Sequence, residues 1–234
     1  MSNPNYVPYQ LVAASSNGVA LSQAVAGAGL LTLNGGLVTG GVATLDSGGA
    51  SRRVLVASSG SDAAVVFTIT GTSRSGVVQS STVTGVTSTS SQYTALDFLT
   101  VTSVRSSGAT AGNITVGTNG VGSSEWQMAD FLARVWMLNG ACAGPSGTTY
   151  SIEHTYDDPN ALVNSGVVGM EQFAVGAGSS VPPVVFPNST ANNVSGNTEW
   201  SYANQLIFAW RLTILSGTGQ VMAKALQAAV GSGM

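Results

Sequence analysis

Charged side chains are scarce in this sequence of 234 residues. They make up 7% of the chain, whereas an ordinary soluble domain has about 25%, and none occurs from Met1 to Leu45. Only Arg52 and Arg53 are adjacent among the seven basic residues, so the sequence lacks the clustered positive surface that nucleic-acid binding requires. We expect no direct nucleic-acid partner. Low charge also removes a protection against self-association, so we expect a homo-oligomer, for example a trimer.

Long hydrophobic runs are also absent. Gly, Ser, Asn and Gln interrupt the charge-free stretch Met1–Leu45, whereas a membrane-spanning helix needs about 20 mostly apolar residues. Met1–Gln10 contains no basic residue, which a signal peptide would have. We therefore predict no membrane partner and no signal peptide. The mean hydropathy of +0.28 and the net charge of −3 together predict an ordered chain.

Cysteine and histidine each occur once, as Cys142 and His154. A single cysteine excludes an intrachain disulfide, and no basic neighbour would activate its thiol, so we predict a small buried side chain. A histidine-based catalytic or metal site within one chain would need His154, with Asp157 and Asp158 nearby. Because Asp-Asp-Pro is typical of a turn, we interpret His154 as structural. We predict no catalytic residue, no metal site and no cofactor, and hence no enzyme.

The sequence is instead rich in Gly, Ser, Thr, Val and Ala, and from Val19 to Thr118 it alternates short β-prone runs with turns. This alternation of short strands and turns is typical of a β-sandwich. The run Val65–Thr70 alternates apolar and mostly hydroxyl-bearing residues, which predicts a half-buried strand. The turn Ser73–Gly76 then predicts a hairpin with Val77–Thr84. Two more strands are predicted, at Leu99–Val104 and Asn113–Val116.

The second half of the chain is richer in aromatic residues. The alternating run Leu206–Leu215 is its clearest predicted strand, and Ser216–Gln220 predicts a turn into Val221–Ala228. Tyr150–Thr155 predicts another strand. All four tryptophans lie in this half, at Trp126, Trp136, Trp200 and Trp210.

Two segments of the second half carry a helical pattern. Apolar residues from Met128 to Trp136 recur at helical spacing, which predicts one short helix near 125–138. Val221–Val230 is open between helix and strand, because Ala, Leu, Lys and Gln favour helices. Neither segment would change the all-β class.

The composition along the chain predicts three parts. Residues 1–18 are predicted to form an extended N-terminal arm that packs on a neighbouring subunit. A first β-sandwich domain covers 19–122 and a second covers 123–234, each sandwich or jelly-roll-like. The glycine-rich segment Gly117–Ser124 is interpreted as the linker between them.

Several stretches of the sequence resemble a family of virion proteins of tailed bacteriophages. The resemblance rests first on Ser22-Gln23, on Leu31–Gly35, on Gly40–Asp46 and on Arg52–Leu55. It continues at Phe67–Thr72, Asp97–Val104, Gly108–Gly112 and Val116–Gly120, and in the second half at Trp126, Tyr150–Pro159 and Ser216–Val221. The family also favours strands where Phe131–Trp136 has helical spacing, and the sequence lacks a proline expected just after Trp126. These stretches are patterns of strands and turns.

The resemblance implies a structural role in a virion that assembles in the cytoplasm of a bacterial host. The first hypothesis is a capsid decoration or cement protein that binds the phage major capsid protein or another virion protein. The alternative is a head–tail connector or a component of the tail or fibre base. An alternative of another class is a host-glycan-binding module with the four tryptophans as stacking residues, although they also fit core positions.

Overall fold

The computed structural model of the chain describes residues 5–45, 50–128, 135–143, 148–155, 184–185, 191–192, 197–203 and 209–228. Every regular element among these residues is a β-strand, and the strand pairs with a determined register are antiparallel. The predicted all-β class is confirmed. The chain divides into two compact units, the continuous unit Val12–Gly122 and the split unit formed by Met1–Leu11 with Ser123–Met234.

The continuous unit contains ten of the described strands, the last of which ends one residue beyond it. They are β2 (Ala20–Gln23), β3 (Gly29–Leu30), β4 (Val38–Thr39), β5 (Val42–Thr44), β6 (Ser51–Ser58), β7 (Phe67–Thr72), β8 (Val78–Val83), β9 (Gln92–Phe98), β10 (Thr100–Ser106) and β11 (Ile114–Ser123). One sheet has the order β4-β5-β10-β7-β8, with β3 also paired to β10. In the other, β11, β6 and β9 are neighbours and β2 pairs with β11.

The core of the continuous unit lies on the inward faces of these strands. In β7, Phe67 and Ile69 are buried while the threonines between them are half-buried. Val54 and Val56 of β6 are likewise buried on alternate positions. This alternation is what a period of two predicts for strands with one covered face, and it is consistent with a two-sheet sandwich.

The split unit contains the other nine described strands. They are β1 (Asn5–Tyr9), β12 (Gln127–Met128), β13 (Val135–Ala143), β14 (Thr149–Thr155), β15 (Val184–Val185), β16 (Ala191–Asn192), β17 (Asn197–Ala203), β18 (Ala209–Ser216) and β19 (Gln220–Ala228). One sheet has the order β1-β19-β13-β17. In the other, β14 pairs with β15, β16 and β18, and β12 pairs with β18.

The helix predicted near 125–138 is wrong at the described positions, because Gln127–Met128 and Val135–Ala143 are strands. Strand β13 pairs without a register shift with β17 on one side and β19 on the other. Two neighbouring strands satisfy its backbone groups on both sides, and this outweighs the local spacing. Residues 129–134 lie outside the described part of the chain. The segment Val221–Val230, for which helix and strand were both open, is a strand as far as Ala228.

The segment Gly117–Ser124, predicted as a linker, is strand as far as Ser123, since Ile114–Ser123 is one continuous strand, and the border between the two compact units falls between Gly122 and Ser123. Gly117 serves close packing: a Cβ atom there would lie 1.9 Å from the carbonyl oxygen of Ser15. A glycine inside a strand allows such an approach of another backbone segment.

The segment predicted as a free N-terminal arm finds partners in its own chain. Asn5–Tyr9 pairs with β19 over five residues. The backbone N–H of Ser15 donates to Oγ1 of Thr118 at 3.0 Å, and the N–H of Thr118 donates to the carbonyl of Ser15 at 2.8 Å. Asn5–Tyr9 and Ser15 therefore form hydrogen bonds within the chain, and contact of this segment with a neighbouring subunit stays a prediction.

Candidate interaction surface

The outward face of the sheet β5-β10-β7-β8 is lined with hydroxyl groups. The register places Thr100 beside Thr44 and Thr72, Ser103 beside Thr70, and Arg105 beside Leu30 and Thr68. The β7–β8 register extends the three rows to Val78, Ser80 and Thr82. We call these residues the hydroxyl face: Leu30, Thr44, Thr68, Thr70, Thr72, Val78, Ser80, Thr82, Thr100, Ser103 and Arg105. Eight of these eleven residues carry a hydroxyl group.

Burial separates this face cleanly from the one beneath it. All face residues are exposed or half-buried, with Val78 72% and Leu30 66% exposed. Ile69, Val101 and Val104, which lie between them in the same strands, are fully buried, whereas Thr102 at the register shift of β10 is exposed. The hydroxyl face is therefore the outer surface of the sheet.

Local hydrogen bonds hold several of the face hydroxyls. Thr72 Oγ1 and Thr100 Oγ1 lie 2.7 Å apart across the strands. Ser80 donates to the carbonyl of Ile69 at 3.2 Å. Thr102, which lies at the register shift of β10 and outside the face, donates to the carbonyl of Thr70 at 3.2 Å. Cross-strand hydroxyl pairs of this kind stabilise a sheet, and they give the rows a fixed arrangement of hydroxyl and methyl groups.

Charge is almost absent from the hydroxyl face. Arg105 is its one charged residue, and the two described aspartates of the continuous unit, Asp62 and Asp97, are 2% and 9% exposed. A contact made by such a surface depends on shape and hydrogen bonding and little on charge. The alternation of apolar and hydroxyl-bearing residues at Val65–Thr70 predicted a strand, but it did not predict a contact surface. The signal was threonine at every second position, Thr68, Thr70 and Thr72.

Asp62 is the centre of a buried hydrogen-bonded cluster at one end of the continuous unit. Its carboxylate accepts bonds from Ser58 Oγ at 2.5 Å, from the N–H of Ala111 at 2.6 Å and from the N–H of Gly112 at 3.3 Å. Burial raises the pKa of Asp62, but these hydrogen bonds outweigh burial and hold that pKa below the ordinary aspartate value. Gly60 approaches Gly112 so closely that no Cβ fits. The cluster joins the loop that carries Asp62 to the loop that carries Ala111 and Gly112.

Arg52 and Arg53, the adjacent basic pair, have different environments. Arg52 is 2% exposed and donates to the carbonyls of Val12 at 3.1 Å and Asn119 at 2.5 Å. Burial lowers its pKa. Arg53 lies over the ring of Tyr93 at 5.4 Å and its Nε is 3.7 Å from Asp97 Oδ1. The first arginine fixes backbone segments, and the second lies between an aromatic ring and a carboxylate with its side chain 17% exposed.

The residues that the sequence offered for a catalytic or metal site lie on different strands where the structure describes them. His154 lies on β14, in register with Trp210 and Val184, and Cys142 lies on β13 opposite Val221. Asp157 and Asp158 lie outside the described residues. Within the described part of the chain, no group of three or more metal-ligating side chains occurs.

Two of the four tryptophans that were candidates for sugar stacking have described side chains, and the other two have described strand positions. Trp210 is 1% exposed, so its ring offers no face to a sugar. The Arg211 guanidinium lies 4.8 Å from the centre of the Trp126 ring, which covers one face of that ring. Trp136 and Trp200 lie opposite Tyr202 and Leu138 in the β13–β17 pair.

No helix in the described ranges is long and apolar enough to cross a membrane. Comparisons of the chain with protein-family models, with curated proteins and with solved structures find no match.

Proposed function

We propose that the chain is a structural protein of a tailed-phage virion, which decorates or cements the outer lattice of the major capsid protein. The observation that carries this proposal is the hydroxyl face, a regular sheet surface with eight hydroxyl groups and one charge. The resemblance of the sequence to phage virion proteins supplies the class of partner. In this proposal the chain forms two β-sandwich or jelly-roll-like domains, 19–122 and 123–234, is not an enzyme, and self-associates on the virion.

The hydroxyl face suits a permanent contact with an assembled protein lattice. Thr side chains offer a methyl group for packing and a hydroxyl group that both donates and accepts hydrogen bonds. Because the face holds one charge, no large charge must be removed from water when it is covered. A contact of this kind keeps its strength as the salt concentration changes.

Stabilisation of the capsid would follow from mass action. A protein that binds the assembled lattice and not its separate subunits stabilises the assembly by its binding free energy. Each copy contributes little, but many copies that contact more than one subunit add their effects. No catalytic residue is needed for this function.

The test is the amount of the chain on purified virions of the phage that encodes it. We expect hundreds of copies per virion for a capsid-lattice protein, measured by quantitative mass spectrometry. A count of about six or twelve copies would instead place the protein at the neck or tail, where rings have those symmetries. Absence of the chain from virions would overturn the proposal.

Variants test the surface. Thr70→Lys places a charge in the middle row of the hydroxyl face, so we expect most copies to be lost from the virion. Ser88→Lys is the matched control, because Ser88 is exposed in the turn of Thr87–Ser90, away from the face. Equal occupancy for both variants would show that the hydroxyl face is not the contact.

A further inference from the structure

Strand β8 forms the end of its sheet and pairs with β7 alone among the described strands. It has six residues, Val-Gln-Ser-Ser-Thr-Val, with no charged residue and no proline. Its register with β7 runs without a shift from Val78 to Val83. Natural edge strands usually carry lysine, proline or a bulge, or are very short, because such features prevent pairing with another strand. Strand β8 has none of these features in its sequence or register, and its hydrogen bond to β9 is made by the buried side chain of Gln79.

Within the described part of the chain, the backbone groups of β8 that face away from β7 belong to three residues of the hydroxyl face. Ser73 N–H donates to the carbonyl of Val77 at 2.8 Å, and the carbonyl of Thr72 accepts from Leu99 of the other flank at 2.8 Å. Hydrogen-bonded and non-bonded pairs alternate along an antiparallel ladder. Val78, Ser80 and Thr82 are therefore the non-bonded positions toward β7, and their N–H and C=O groups point to the open edge.

The other sheet ends of the continuous unit are protected. Strands β3 and β4 have two residues each, and β2 has four residues with a register shift against β11. Strand β9 carries Asp97 and has a register shift against β6 between Arg53 and Leu55. Among the described strands of this unit, β8 is thus the one sheet end that is long, regular and uncharged.

We propose that β8 pairs in antiparallel fashion with β8 of a second copy, about a two-fold axis at Ser80. This register places Ser80 opposite Ser80 and Val78 opposite Thr82 of the second copy, and makes about six backbone hydrogen bonds. The hydroxyl face is then on the same side of the joined sheet in both copies, because this register pairs outward-facing residues only with outward-facing residues. Val78, which is 72% exposed, gains a β-branched neighbour.

The size of the hydroxyl face favours a second copy as the occupant. Four strands and three rows cover about 20 Å by 20 Å, or roughly 400 Å². A stable interface buries about 800 Å² on each partner. Pairing through β8 joins two hydroxyl faces into one surface of about that size. Contact of the joined surface with a capsid lattice rests on the proposed function, whereas the pairing of the two β8 strands does not.

The full-length chain tests the pairing by sedimentation velocity over a range of concentrations. We expect the wild type to form a dimer as concentration rises. Ser80→Pro removes an N–H that points to the open edge, so it should weaken association at least about tenfold with the same unfolding midpoint as Ser80→Ala, which loses the same hydroxyl group. Ser80→Ala retains that N–H and is the matched control, with association unchanged.

The position of the axis has its own test, which also works if Ser80→Pro does not fold. Ser80→Lys and Ser80→Glu each place two like charges opposite each other at the axis, so each variant alone should remain monomeric. Mixed in equal amounts, they should form a heterodimer that dissociates at high salt.

Three results would overturn the proposal: a wild type that stays monomeric or forms a trimer, an undiminished Ser80→Pro dimer, or a Lys and Glu mixture without heterodimer. Each of these is compatible with abundant protein on virions, so failure here is distinct from failure of the proposed function.

Discussion

Strands β8 and β18 lie in different surroundings, although in both strands residues two positions apart share a face of the sheet. In β8 every second residue is exposed, and Gln79, Ser81 and Val83 between them are buried. In β18 six successive residues, Ala209–Ile214, are all buried. The comparison shows that alternation in a sequence tells which residues share a face of a sheet. It does not tell whether the second face is covered.

Polar side chains on the second face of β18 find partners inside the split unit. The guanidinium of Arg211 lies over the ring of Trp126 at 4.8 Å. Oγ1 of Thr213 lies 3.1 Å from Oγ of Ser123. Burial of a polar group costs stability unless it is hydrogen-bonded or otherwise compensated. The second face of β18 is therefore part of the interior, whereas the outward face of β8 remains available for contacts.

The largest expected effect is the loss of a large core side chain from β18. Trp210→Ala removes a ring that is 1% exposed, and we expect the free energy of unfolding to fall by about 3–5 kcal/mol. Val78→Ala on β8 is the comparison, and it should change the free energy by less than about 0.5 kcal/mol. Chemical denaturation measures both. A small loss for Trp210→Ala would contradict the buried position of β18.

The adjacent arginines of β6 sharpen the same contrast within one strand. Arg52→Ala leaves the carbonyls of Val12 and Asn119 without their donor, so we expect a loss of about 3 kcal/mol. Arg53→Ala removes a largely buried ion pair and a contact with Tyr93. We expect a smaller loss of about 1–2 kcal/mol, because the two charged groups are 3.7 Å apart and share no short hydrogen bond. Urea denaturation of the two variants measures the difference. Equal losses would show that the two buried hydrogen bonds of Arg52 do not stabilise the fold as the geometry indicates.

Asp62 gives the continuous unit a dependence on pH. Its pKa is lower in the folded chain than in the unfolded chain, so its contribution to stability is full above the ordinary aspartate pKa and is lost as pH falls through the lowered value. Asp62→Asn should reduce the unfolding free energy at neutral pH by about 1–3 kcal/mol and reduce its decline in acid. Denaturation at a series of pH values measures this. No other titratable residue occurs in 54–66 or 106–118, and an unaltered acid profile would remove Asp62 as the cause.

Much of the fold could be predicted from the sequence, because strands and turns depend on local patterns. The hairpin at Val77–Thr84 and the strand at Tyr150–Thr155 appear in the structure close to the predicted bounds. The helix near 125–138 was predicted from spacing alone, and pairing of β13 with two distant strands overrides that spacing. Such pairing joins residues far apart in the chain, so no local pattern reports it.

The candidate surface was less predictable than the fold. Its threonines are visible in the sequence, but the three rows arise from the registers of β10, β7 and β8, including a shift between Val101 and Ser103. A register error of one residue would place the same threonines in the core. The sequence also gave no sign that β8 lies at the end of its sheet, since edge position depends on the strand order.

The smallest expected effect tests the comparison most directly, because the same change is made on both strand faces. Thr213→Ser on β18 and Thr70→Ser on β7 each remove one methyl group and keep the hydroxyl group. Thr213 is 1% exposed, so we expect a loss of about 1 kcal/mol from the buried methyl and the space it leaves. Thr70 lies on the hydroxyl face, where we expect a loss of about 0.3 kcal/mol. Chemical denaturation of the two variants measures the difference. Equal losses would mean that the outer face of β7 is covered like that of β18, which would remove the hydroxyl face as a contact surface.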